Sequence, residues 1–231
     1  MSGRGADPKP IVEQLLRDPP VVHAMDLSDD PALGVWSTDA DCYRFLAATV
    51  AAGSRTLETG AGLSTALLAA LGAVHTCVTP SQAEADRITA YCARRGIATG
   101  GLSFVIGRSD EVLPSLQGEL DLVLIDGNHG YPTPIIDWYY AAGRLRAGGV
   151  LIVDDTQLPA VAHLMAIVAR DPRWSLVRRS RKWVSWRRQD QGPLVQDWFD
   201  QPWLRAPLPT DPVGLARRGW GYLRRRARLS P

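Results

Sequence analysis

No apolar run in the chain approaches the roughly 20 residues needed to cross a bilayer, and Met1 to Asp7 lack the apolar segment of a secretory signal. The expectation is a cytoplasmic protein. Cysteine is scarce: Cys42, Cys77 and Cys92 are odd in number and have no metal-ligand spacing, which argues against a disulfide framework and for buried reduced thiols. Lysine is scarcer still, with two among 26 basic residues, so an arginine-rich tail fits a soluble enzyme from a GC-rich genome as well as it fits an anionic partner.

What is present is 231 residues, enough for one α/β domain with additions and a sizeable core. The net charge of +2 conceals a division: residues 1–169 carry 11 Lys+Arg against 19 Asp+Glu, whereas residues 170–231 carry 15 against 5. The best organised stretch is Thr56-Leu57-Glu58-Thr59-Gly60-Ala61-Gly62-Leu63-Ser64-Thr65, which reads as a buried strand, a glycine turn and a helix. Gly60 and Gly62 permit the close approach of a planar ligand beneath the helix N-terminus. Glu58, two residues before the first glycine, disfavours a pyrophosphate there and favours a ligand with positive groups and no phosphate, such as S-adenosylmethionine. An ordinary strand-to-helix turn would use the same residues.

Helices are expected at 11–17 and 40–52, with Thr38 or Asp39 capping the second, and further ones at 82–95, 111–116, 134–144 and 156–169. Strands are expected at 74–78, 103–107, 120–125 and 150–153, and a closing β-hairpin at 174–187. The strands at 120–125 and 150–153 end in Asp126 and in Asp154-Asp155, so two neighbours deliver three carboxylates to the rim where ligands of open α/β sheets sit. Like charges so gathered raise one another's pKa unless a cation lies among them, and a hard ion such as Mg²⁺ prefers oxygen ligands. The plainer alternative is that Asp126 binds cofactor or caps a helix while Asp154-Asp155 end a strand in water.

Glu58-Thr59-Gly60-Ala61-Gly62 resembles the first motif of class I methyltransferases, and Ser64-Thr65 stand where many small-molecule O-methyltransferases also carry hydroxyls. The run Asp126-Gly127-Asn128-His129-Gly130-Tyr131, followed by Asp154-Asp155 after Gly148-Gly149, resembles catechol-type and sugar or macrolide O-methyltransferases. The resemblance spans roughly residues 34–190 and implies a doubly wound, Rossmann-like α/β sheet, mostly parallel with a C-terminal antiparallel hairpin. It also implies S-adenosylmethionine held by Glu58, Thr59, Gly60, Ala61, Gly62, Ser64, Thr65, Thr79, Ser81, Ser109, Asp110 and Asp126, with Thr38 near the ligand. By the same resemblance Mg²⁺ is held by Asp126, Asp154 and Asp155, and Asp126 and His129 are catalytic, His129 in the position of the base. The chain departs from the pattern at the end of the second strand, where Thr79 and Ser81 replace the usual ribose-binding acid and Glu84 and Asp86 follow one turn later.

The expected organisation is an N-terminal arm and cap at 1–33, a methyltransferase domain at 34–190 and an aromatic, Pro-rich and Arg-rich extension at 191–231. A helix at 213–229 would carry the arginines, as a solvated tail or as a contact for an anionic partner or membrane surface. The implied acceptor is a small hydroxylated molecule, a nucleic acid being disfavoured by the lack of an RNA-binding motif; a homodimer is compatible with this reading. The competing classes are an NAD-binding oxidoreductase, which Glu58 disfavours, and a degenerate methyltransferase fold that binds without catalysis.

Overall fold

The computed structural model describes residues 9–23, 37–197 and 201. The expected 213–229 helix and most of the aromatic and proline-rich extension lie outside the described residues. Residues 1–195 form one compact unit and 196–231 a second.

The first unit is built on a seven-stranded sheet in the order β3-β2-β1-β4-β5-β7-β6. The strands β1 (Arg55–Thr59), β2 (Val74–Thr79), β3 (Leu102–Ile106), β4 (Leu120–Ile125) and β5 (Leu145–Val153) are parallel. Strands β6 (Trp174–Arg179) and β7 (Val184–Arg188) form the expected hairpin, and β7 pairs antiparallel with β5, leaving β6 at the edge. Between the strands run α3 (Leu63–Ala70), α4 (Gln82–Arg95), α5 (Ser109–Val112), α6 (Thr133–Asp137) and α7 (Pro159–Val168), preceded by α1 (Lys9–Arg17) and α2 (Ala40–Thr49).

Alternation along the strands divides the core between the two faces. Leu122 and Leu124 of β4 pack with Leu46, Leu67, Ile88 and Trp183 on the face covered by α1 to α4. Their neighbours Val123 and Ile125 pack on the other face with Leu151, Leu164, Trp174 and Trp186. Cys42, Cys77 and Cys92 are free and buried as expected, and burial pushes all three thiols up, which leaves them without reactive thiolate.

The expected helix at 134–144 is instead α6 followed by a π-helical turn at Trp138–Ala142, and β5 starts earlier than expected, at Leu145. The buried guanidinium of Arg188 explains how that widened end is tolerated. It donates to the carbonyls of Ala142 at 2.8 Å and Gly143 at 2.9 Å, two of the acceptors that a helix end leaves unpaired.

The hairpin is also fastened to the chain before α2. Lys182 donates to the Ser37 carbonyl at 2.7 Å, and Arg178 pairs with Asp41 at 2.8 Å. Beneath them Trp183 is fully buried, its ring centroid 5.3 Å from that of Phe45. Trp183→Ala should therefore cost about 3–5 kcal/mol, read as a lower midpoint in urea with little change in slope.

Candidate active site

Strand order reverses between β1 and β4, and their carboxyl ends open a cleft of about 860 Å³. Its floor is the turn after β1. Gly60 has φ 91°, and a Cβ there would lie 2.3 Å from the Asp126 carbonyl oxygen, so no side chain fits. Thr59, Gly60, Ala61, Gly62 and Ser64 all line the cleft.

Glu58 and Thr65 do not line it, contrary to the expectation that both meet the ligand. Glu58 is fully buried under the turn, where it accepts from the Thr65 hydroxyl and lies 3.1 Å from His75 Nε2. Thr65 Oγ1 in turn accepts from Gly62 N at 3.0 Å. Strand alternation is the cause: Thr59 faces the cleft side of its strand end, and its neighbour Glu58 faces the opposite way. Glu58 thus holds the glycine turn from beneath.

At the end of β2, Thr79 lines the cleft, while Ser81 caps α4 by accepting from Glu84 N at 3.3 Å. The carboxylate missing from the end of this strand comes from Glu84, inside the first turn of α4. It accepts from Thr79 at 2.5 Å and lies 3.0 Å from His23 Nδ1, and Glu84 and His23 both line the cleft. Burial opposes its ionisation, but the hydrogen bonds from His23 and Thr79 outweigh burial and hold the carboxyl below its ordinary range. Past β3, Ser109 and Asp110 line the cleft, with Asp110 paired to Arg108 at 2.9 Å.

The acidic rim lies at the other end. Asp126, His129, Asp154 and Asp155 all line the cleft, as the sequence led one to expect. His129 Nε2 is 3.1 Å from Asp155 Oδ2 and 3.9 Å from Asp126 Oδ1. Asp155 is the non-glycine residue with positive φ, at 52°, among those described. Asp154 is not grouped with Asp126 and Asp155 as expected; it is buried and accepts from the Thr38 hydroxyl at 2.6 Å. The grouping of possible ligand atoms within 4.8 Å of one another is Asp126, His129 and Asp155. Thr38 accordingly acts on Asp154 and does not line the cleft, while Asp39 is the N-cap position of α2.

The residue that the sequence reading missed is Lys182, at the turn of the hairpin. Its ammonium lines the cleft 3.4 Å from Asp154 Oδ2 and 3.5 Å from Asp155 Oδ1. His129 lies below its ordinary pKa because burial outweighs the opposing pull of Asp155 and Asp154, so the imidazole is neutral near neutral pH. Asp126 is raised well above the ordinary carboxyl range, first by burial and then by Asp154 and Glu58, with Lys182 acting the other way.

The sheet order is that of the Rossmann-like methyltransferase fold, and residues 57–156 match the family model of a methyltransferase domain. No curated protein matches the chain in sequence. Among solved structures, the chain is similar to the O-methyltransferase TomG from Streptomyces achromogenes, involved in tomaymycin synthesis and in complex with SAM. That pair is 17% identical over 80% of this chain and 91% of the other, with TM-score 0.58. Cofactor-bound Rv0187 from MTB is 20% identical over 81% of this chain and 99% of that one, with TM-score 0.56. A putative rRNA-methylase from Clostridium thermocellum is 11% identical over 68% of this chain and 100% of that one, also with TM-score 0.58.

The raised Asp126 carboxyl has a thermodynamic consequence. A group raised on folding stabilises only below its unfolded pKa, near 3.8 here, and costs stability as pH rises above that value. Asp126→Asn should therefore unfold at a higher temperature than wild type at pH 7, and the gap should close as the pH approaches 3. Thermal scans across that range check both.

Proposed function

We propose that the chain is an O-methyltransferase acting on a small hydroxylated molecule, a sugar or a natural-product hydroxyl, with His129 as the base. The observation that carries this reading is the neutral His129 imidazole, half-buried at the acidic end of the cleft and oriented by Asp155 at 3.1 Å. An alcohol is a poor nucleophile until its proton is taken, and an imidazole titrating near working pH can take it.

The chain's own residues fit S-adenosylmethionine. The glycine turn allows close backbone approach, Ser109 stands past β3, and Glu84 offers a carboxylate where ribose hydroxyls need an acceptor. When bound, S-adenosylmethionine supplies a methyl whose bond to sulfur breaks as the acceptor oxygen forms its bond to carbon, the electron pair remaining on a neutral thioether. His129 Nε2, facing Asp155, carries the ring proton of the neutral imidazole, so the hydroxyl proton goes to Nδ1 and Asp155 steadies the resulting imidazolium.

Magnesium fits this donor set poorly. With Asp154 engaged by Thr38 and Lys182, two carboxylates and an imidazole are left, and an ammonium stands 3.5 Å from one of the carboxylates. A hard ion that seeks oxygen ligands has better choices than this, and no step here is routed through one. A polyanionic acceptor such as RNA is disfavoured by the same acidic rim, despite the fold shared with an rRNA-methylase. The catalytic unit in this reading is 34–190, with 1–33 an arm and 191–231 an extension.

Incubation with labelled cofactor and fractionated cell extract tests the acceptor class; label confined to RNA or protein would refute it. His129→Ala should lower kcat about 10²–10⁴-fold while S-adenosylhomocysteine still binds. Glu84→Gln should weaken S-adenosylhomocysteine about 10-fold or more by calorimetry, since charge-assisted hydrogen bonds are the strong ones. Binding of NAD in place of S-adenosylhomocysteine would replace the reading with an oxidoreductase, and binding of neither with a non-catalytic module.

A further inference from the structure

Three carboxylates on one rim need a counter-charge, and the cleft already contains one that belongs to the chain. The Lys182 ammonium has three donor directions, and three acceptors surround it. It donates to the Ser37 carbonyl at 2.7 Å, and it lies 3.4 Å from Asp154 and 3.5 Å from Asp155. Its backbone is pinned as well: the Lys182 carbonyl accepts from Thr156 N at 2.8 Å and Thr156 Oγ1 at 3.1 Å, and Lys182 N donates to Ser180 Oγ at 3.0 Å. Position and direction of the charge are thus set by both the hairpin and the segment after β5.

The chemistry of the residue suits the place. An arginine fork is planar and pairs best with one carboxylate edge on, whereas an ammonium is a compact point charge that serves three acceptors around it. This chain uses arginine almost everywhere and has only two lysines, of which Lys182 is one. A divalent ion among Asp126, His129 and Asp155 would share Asp155 with that ammonium and be repelled by it.

We propose that Lys182 is the cation of this site: its fixed ammonium takes the place that a divalent ion would hold among the acidic residues, and it keeps Asp155 turned toward His129. The proposal rests on the reading of this cleft as a methyl-transfer site, and it makes that site independent of metal. Lys182 in this role is a positioning residue, acting on the acceptor through Asp155 and His129.

Manganese is the probe, titrated by calorimetry into the full chain and its variants, with thermal unfolding measured alongside. Wild type should show no Mn²⁺ binding up to millimolar concentration, and Lys182→Arg, which keeps the charge, should behave likewise. Lys182→Gln leaves the carboxylates without their cation and should bind Mn²⁺ at least about tenfold more tightly than wild type. Its unfolding temperature should also rise by about 3–6 °C at an ion concentration near ten times the dissociation constant, a readout that works even for a weakly folded variant. Asp155→Asn combined with Lys182→Gln should abolish both effects. Micromolar Mn²⁺ binding by wild type that Asp155→Asn removes would overturn the proposal, and so would a Lys182→Gln protein as indifferent to Mn²⁺ as wild type. S-adenosylhomocysteine titrated into the same wild-type sample separates the two claims: failure to bind it overturns the functional reading, while the manganese arms decide Lys182.

Discussion

The contact on which the site depends is between two backbones. Gly60 lies so close to the Asp126 carbonyl that even a methyl group would collide with it, and Asp126 N donates back to the Thr59 carbonyl at 3.1 Å. That approach brings the ends of β1 and β4 together where strand order reverses, so the glycine turn and the acidic rim share one cleft. Glu58, Thr65 and His75 serve this contact from below: Glu58 Oε1 accepts from the Thr65 hydroxyl and lies 3.1 Å from His75 Nε2.

Charge is the second organising term. The Lys182 ammonium lies within 4 Å of both Asp154 and Asp155, one charge beside a rim of three carboxyl groups, of which Asp126 and Asp154 are both raised above the ordinary carboxyl range, first by burial. The hydroxyl of Thr38 and the ammonium of Lys182 both arrive from outside the parallel strands, one before α2 and the other from the hairpin. The hairpin therefore does more than close the sheet. It carries Trp183 into the core and, one residue earlier, Lys182 into the site, so packing and electrostatics are coupled through adjacent positions.

Much of this was legible in the chain because it is written in local patterns. The apolar run 122–125 ending in Asp126, the Gly60-Ala61-Gly62 turn and the two tryptophan-bearing strands of the hairpin each declare their structure within a few residues. What escaped depends on distant partners. Glu58 sits beside the glycines in sequence, yet strand alternation turns it away from the ligand. Glu84 could be seen one turn along its helix, but its commitment to the cleft depends on Thr79 and on His23, which lies 61 residues away. Lys182 gave no local signal at all, being one basic residue in a basic turn; the lysine among arginines was the clue available. The metal expectation followed from three carboxylates at neighbouring strand ends; the ammonium of Lys182 beside Asp154 and Asp155 had no counterpart in that local pattern.

Asp155 holds its backbone at φ 52°, a left-handed conformation that glycine or asparagine adopts more readily than aspartate. The carboxylate that steadies His129 is thus kept at a conformational cost on the order of 1 kcal/mol. A laboratory selection for heat tolerance alone would push this position toward glycine, relieving the turn and erasing the carboxylate that faces His129. Variants recovered from such a selection would be sturdier shells of the same fold, and the residue found altered at 155 would mark where durability and chemistry part company.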